Sequence, residues 1–322
     1  MVDWYREMGF FIAVILAPML VACSPQQDQA AVETHQTEVQ VTSGSRPAAA
    51  PTPAELAGMS YTGIYAEGVT LQDGRWEGEP FAKGGASRPV VGLVQDFTLT
   101  GDLDKDGVDE AVAILWESGG GSGTNSYVAV VGRRDVRLAN VGTALIGDRV
   151  QLRDARIADG RVELDVIQQG PDDAACCPTE TATRVWVLGD EGLTEIDASH
   201  KGTLSLLDLQ GQEWLLVSLG RDVPVPDSLE VTLTFSADGV AGHSGCNRYF
   251  GAANPGEQPG EMSLGPLGGT RMACPPAAMD LETRYLQMLA GVTRYGFLNG
   301  QLVLTVQQVD GVSMLLFSPR DL

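Results

Sequence analysis

Three dipeptides constrain this chain more than any other feature: Asp159-Gly160, Asn299-Gly300 and Asp310-Gly311. A two-residue hairpin loop needs positive φ at its central positions, which Asn, Asp and Gly tolerate. Around the first, Ala155-Arg-Ile157-Ala and Arg161-Val-Glu-Leu164-Asp-Val166 alternate apolar and polar residues, which predicts strand, turn, strand. The second joins predicted strands at 294–297 and 301–306, and the third turns the chain into a last strand at 312–317. Further strands are predicted at 111–116, 126–132, 184–188, 214–219 and 229–235. Gly119-Gly-Gly-Ser-Gly123 lies between two of them and lacks the Lys-Ser or Lys-Thr of a phosphate loop, so it reads as a hairpin loop. The 39 glycines and the low aromatic content, 6%, suit short strands and many turns.

One helix stands out, at 276–291. Pro275-Pro276 can open it, because proline is tolerated in a first helical turn. Met279, Glu282, Tyr285, Leu286 and Leu289 recur at three and four residues, and the apolar members predict one buried stripe. Met279, Tyr285 and Met288 accordingly read as core. The expected fold class is mainly β, or α+β. It has two β-rich domains, 58–200 and 205–322, the second an antiparallel sheet packed with one main helix. A length of 322 residues agrees with two domains at roughly 150 residues each.

With 21 basic and 42 acidic side chains, the formal charge is −21. Nucleic acid is not an expected partner, since phosphate binding needs a basic stripe. Beyond the N-terminus no run of 18 or more apolar residues occurs, which argues against a polytopic membrane protein.

Residues 9–22 form an apolar run of signal-peptide length ending in Leu20-Val21-Ala22-Cys23. This segment resembles the lipobox of bacterial lipoproteins. The resemblance implies a signal peptide at 1–22, cleavage before Cys23, and a diacylglyceryl group with palmitate-type chains on the Cys23 thiol. At ~0.8 kcal/mol per buried methylene, two or more chains anchor a protein stably. Asp3, Arg6 and Glu7 depart from the usual positive leader. By resemblance to the sorted lipoproteins of Gram-negative bacteria, Ser24 in place of Asp implies the outer membrane, facing the periplasm. Residues 23–57 are polar, with Gln, Ala and Pro runs, and are expected to be a disordered tether.

Cys23 set aside, Cys176, Cys177, Cys246 and Cys274 remain, and four cysteines allow three connectivities. Cys246–Cys274 is the preferred pair. Cys176 and Cys177 are then a vicinal disulfide or two free thiols. No spacing here matches a zinc site.

Asp102, Asp104, Asp106, Asp109 and Glu110 crowd one short loop, with Gly107 at its turn. Carboxylates at alternate positions before a glycine are what a hard cation such as Ca²⁺ requires. The loop resembles the Asp-rich calcium loop of integrin-type repeats, although a single copy is present. A structural Ca²⁺ is the one cofactor the sequence suggests; the alternative is a solvated acidic turn.

From Trp214 onward the order is Trp214-Leu-Leu-Val, Ser244-Gly-Cys246-Asn247-Arg248-Tyr249, Gly268-Gly-Thr270-Arg271-Met-Ala-Cys274-Pro275, then Met279, Glu282 and Tyr285-Leu286. This resembles the META domain of HslJ-like bacterial lipoproteins, linked to heat shock. The resemblance implies an antiparallel sheet with one main helix, a Cys246–Cys274 disulfide, a link to envelope stress and no established catalysis. Asn247, Arg248, Thr270 and Arg271 form the candidate functional surface, and Glu282 is expected to pair with Arg271 or Arg248. The 58–200 segment resembles an uncharacterised domain of exported lipoproteins, by Tyr61-Thr-Gly-Ile-Tyr65, Gly101-Asp-Leu-Asp104, Ala144-Leu-Ile-Gly-Asp148 and Cys176-Cys-Pro-Thr179.

No catalytic set is legible. His243 and Ser244 are adjacent and would point to opposite faces of a strand. The expectation is therefore a non-catalytic binding or stress-response module, anchored to the membrane by lipid and meeting an unknown periplasmic protein or ligand. A protease inhibitor or chaperone-like stress factor, or a hydrolase with an unrecognised site, are the alternatives.

Overall fold

Asp159 and Gly160 hold φ at 54° and 73°, and Asn299 and Gly300 at 51° and 82°. Both dipeptides therefore make the tight hairpins that their positive φ permits. The first joins Gln151–Ala158 to Arg161–Gln168, the second Val292–Leu298 to Gln301–Gln308. The computed structural model describes residues 49–320 apart from 96, 122, 135, 136, 221 and 222. The expected signal peptide, Cys23 with its lipid, and the tether as far as residue 48 lie outside the described residues.

The chain is mainly β, with antiparallel sheets and one main helix, as the turn signals require. An antiparallel sheet runs in the order Arg75–Glu77, Val90–Leu93, Glu110–Ser118, Asn125–Arg134, Arg137–Asp148, and Leu99–Gly101 also pairs with Glu110–Ser118. Its central strand is a continuous apolar run because both faces are covered. Val112 and Ile114 face Val162, Leu164 and Val166 of a second, four-stranded sheet. Ala111, Ala113 and Leu115 face Leu56, Tyr61, Val69 and Leu71.

That last contact corrects the expected tether boundary. Pro53–Leu56 is a helical turn, and Leu56 is completely buried. Thr52 Oγ1 accepts from Glu55 N while Thr52 N donates to Glu55 Oε2, a reciprocal cap. Glu55 pairs with Arg133 at 3.0 Å. Residues 49–57 belong to the folded body because Leu56 supplies apolar cover that the six-stranded sheet needs.

The C-terminal half carries an eight-stranded sheet in the order Gly268–Gly269, Arg248–Gly251, Gly239–His243, Thr232–Ser236, Glu213–Leu219, Gly311–Pro319, Gln301–Gln308, Val292–Leu298. The helix, Pro276–Leu289, buries Ala278, Leu281, Tyr285, Met288 and Leu289 in the core of this sheet. Met279, expected in that stripe, is 37% exposed. The buried stripe passes through 278, 281, 285 and 288 instead, which turns 279 outward. Among the described residues no helix is long and apolar enough to cross a membrane.

The two halves meet in direct contact. Gln151 Oε1 accepts from Phe297 N (2.8 Å), and Gly300 N donates to Leu152 O (2.8 Å). Arg153 pairs with Asp208 at 2.6 Å and stacks its guanidinium 5.9 Å from the Phe297 ring centre. Ile167 lies on Arg161–Gln168 of the first half, yet it belongs to the C-terminal hydrophobic core.

Candidate functional site

The acidic loop connects Leu99–Gly101 to Glu110–Ser118 and folds back on its own backbone. Asp102 accepts from Asp106 N and Gly107 N, both at 3.1 Å, and Asp106 accepts from Val108 N at 2.8 Å. Lys105 and Gly107 take φ of 64° and 86° to allow this. The result brings one carboxylate oxygen each of Asp102, Asp104 and Asp106 within 4.8 Å of one another.

Asp109 and Glu110 do not join them. Asp109 is exposed. Glu110 opens a strand and turns inward, 1% exposed, where it accepts from Leu103 N at 2.9 Å. Gly132 on the neighbouring strand leaves the space: a Cβ there would come within 3.2 Å of Glu110 Oε1. Burial pushes the Glu110 carboxyl above its ordinary value; the Leu103 N–H opposes this, and the charges of Asp104 and Asp106 add to it. Arg134 pairs with Asp104 at 3.0 Å. The five-carboxylate set expected from the sequence is thus a three-carboxylate set: Asp109 stays exposed ahead of the strand, and Glu110, its first residue, is turned into the core. Asp102, Asp104 and Asp106 supply the oxygen donors that a divalent cation such as Ca²⁺ takes.

In the C-terminal half, Ser244–Asn247 turns the chain between Gly239–His243 and Arg248–Gly251, with Ser244 N donating to Asn247 O at 2.8 Å. Gly245 carries the positive φ, 95°. Cys246 is bonded to Cys274, their Cα atoms 5.9 Å apart. Asn247, placed in the candidate surface by the sequence, is 4% exposed and serves as a buried hub. Its Oδ1 accepts from Thr270 Oγ1 (2.8 Å) and Met272 N (2.7 Å); its Nδ2 donates to Glu282 Oε1 (3.0 Å). Thr270 Oγ1 also accepts from Arg248 N at 3.1 Å.

Glu282 does not pair with Arg271 or Arg248. It faces the turn, accepting from Asn247 N at 2.8 Å and from the Ser244 hydroxyl. Burial opposes its charge, but the hydrogen bonds from Ser244 and from the side chain and backbone of Asn247, with His243 nearby, outweigh burial and hold the carboxyl below its ordinary value. Arg271 is exposed and lies outside this hydrogen-bond network. Beneath it Tyr249 Oη donates to Thr232 O at 2.8 Å, so the 2.6 Å contact with Tyr285 Oη uses the Tyr285 proton. These residues hold turn, sheet and helix together; Ser244 and Glu282 are 38 positions apart, and no sequence pattern joins them.

The outward face of the same sheet is different. Thr234 pairs with Ala241, Ala241 with Phe250, and His243 with Arg248, so their side chains line one face. They form an open groove of ≈ 660 Å³, flanked by Glu213 and Glu230. Phe250 is 64% exposed. Among the described residues no hydrogen-bond or ion-pair partner faces the Arg248 guanidinium, whereas Arg320 holds Glu213 and Glu230. Of the four residues nominated from the sequence, Arg248 alone lines this groove. The period-two pattern Thr232-x-Thr234, Ala241-x-His243 and Arg248-x-Phe250 is the signal that could have found the rest.

A family model described as the META domain matches residues 207–319. The match takes in the eight-stranded sheet, the helix, the Cys246–Cys274 bond and the groove. No curated protein matches the chain. An NMR structure of a protein from Burkholderia xenovorans is 28% identical, over 36% of this chain and 87% of that one, with a TM-score of 0.30. A second NMR structure is 24% identical, over 36% of this chain and 94% of that one, with a TM-score of 0.30. The META-matching segment begins where the four-stranded sheet ends, so the acidic loop and the Cys176–Cys177 pair lie outside it.

Proposed function

We propose that this protein is a non-catalytic, HslJ-like lipoprotein, a binding or stress-response module held at the periplasmic face of the outer membrane through Cys23. The groove on the outer face of the META sheet carries the binding part of this reading. An exposed aromatic ring beside a guanidinium that has no partner among the described residues, over a floor of Thr, Ala and Gly, suits a partner that presents an acidic group next to an apolar one. The polar groups nearest the disulfide are already engaged with one another, which favours a scaffold under the groove over a reacting site. The Leu20-Val-Ala-Cys23 segment supports the anchor.

Two experiments test the two parts separately. Cys23→Ser should abolish palmitate incorporation and move the protein from the membrane to the soluble fraction; retention on the membrane would overturn the anchor. A photo-crosslinking residue at position 250 should give discrete adducts in cells that Arg248→Glu removes without changing the thermal melt. Adducts indifferent to that change would overturn the groove as the binding face.

A further inference from the structure

We infer that Cys176–Cys177 is a thiol-exchange site, a disulfide that a small soluble thiol opens in the folded protein while Cys246–Cys274 stays closed. The two bonds sit in opposite surroundings. Cys176 is exposed, Cys177 and Pro178 follow it inward, and the pair lines a cleft of ≈ 360 Å³ where the two halves meet. Tyr295, Phe297 and Leu298 form the facing wall. Cys246 is 2% exposed beneath the Asn247–Glu282 network. Thiol–disulfide exchange requires the attacking sulfur to reach a disulfide sulfur, so access separates the two bonds.

The loop that presents the pair does not depend on the bond for its shape. The Asp173 carboxylate accepts from Gly170 N (2.8 Å), Thr179 N (2.6 Å) and Thr179 Oγ1 (2.6 Å). Gln169 Nε2 donates to Asp173 O at 2.8 Å and to Ala174 O at 3.1 Å. Thr179 O accepts from Leu204 N at 2.8 Å, tying the loop to the start of the next segment. With those anchors in place the two cysteines, being neighbours in the chain, remain together after reduction, and the reaction can run back without a search.

The steps balance as follows. A thiolate attacks Sγ of Cys176, the more accessible sulfur; the Cys176–Cys177 bond breaks, and Cys177 leaves as a thiolate that takes a proton from water. A second thiol molecule attacks the reagent sulfur of the mixed disulfide and releases Cys176 as a thiolate, which is protonated in turn. Two thiols are oxidised to one disulfide, and the protein gains two electrons and two protons.

The test uses the full chain, oxidised and folded. It is incubated at neutral pH with graded dithiothreitol or glutathione, acid-quenched, alkylated and mapped by peptide mass spectrometry, which also separates any signal from Cys23. Cys176 and Cys177 should be labelled at about tenfold lower reductant than Cys246 and Cys274. Labelling of both pairs over the same range, labelling of the vicinal pair only after denaturation, or free thiols at 176 and 177 before any reductant is added would each overturn the inference. A Cys176→Ser, Cys177→Ser double variant should retain its melt and show no low-reductant labelling; low-reductant labelling of Cys246 and Cys274 in that variant would overturn it as well.

Discussion

Asn247 donates twice to Glu282, through its backbone N to one carboxylate oxygen at 2.8 Å and through Nδ2 to the other at 3.0 Å. The pair spans 35 residues and fastens the helix to the turn that carries Cys246. Hydrogen bonds to a charged group contribute more than neutral ones, and truncation would leave Met272 N and Thr270 without their acceptor. Asn247→Ala should therefore lower stability by about 2–4 kcal/mol in urea unfolding, while Arg271→Ala, on the surface, should stay within about 0.5 kcal/mol.

The same carboxylate sets a pH dependence. Glu282 is held below its ordinary value, so its contribution is complete above the unfolded value near ~4.3 and is lost as pH falls through the folded value. Glu282→Gln should be less stable than the parent at pH 7, and the gap should close as the pH drops below about 4. Glu110 carries the opposite sign: its raised value makes its charge unfavourable as pH rises from ~4.3 through the folded value. Glu110→Gln should gain on the parent across that interval. Urea midpoints between acid and neutral pH measure both.

The three gathered aspartates predict cation binding at the acidic loop. Calcium at 100 times its dissociation constant should add about 2.7 kcal/mol, visible as a rise in melting temperature that EDTA reverses and Asp104→Ala removes. Asp109→Ala should leave the rise intact, because Asp109 stands apart from the cluster.

Leu56 tests where the folded body begins. It is fully buried against the six-stranded sheet, so Leu56→Ala should cost about 2–5 kcal/mol in chemical unfolding. Thr52→Ala, which removes the helical cap, should cost about 1 kcal/mol. A chain started at residue 58 should melt well below one started at 49.

Much of this architecture was legible because its signals are local. The hairpin dipeptides demand a backbone conformation that few residues adopt, so Asp159-Gly160 and Asn299-Gly300 declare their strands from sequence. The helix was visible through its period, although Met279 shows that an apolar residue one position off the stripe reads like a member of it. The Thr52–Glu55 capping box was also present in the sequence, but it sits in a stretch whose composition resembles a linker. What sequence could not show depended on distant pairing. Glu282 finds Ser244 and Asn247 only after the helix docks, and Glu110 leaves the other acids because Gly132 on the next strand gives it room.

Side-chain alternation on Arg161–Gln168 bears on how the protein comes apart. Val162, Leu164 and Val166 fill one core, and Ile167, the next residue, fills the other. Melting either half strips apolar cover from its neighbour, so the halves lose structure in one cooperative transition. A segment excised at residue 207 would lose both Ile167 and Leu204 from the core they help to fill.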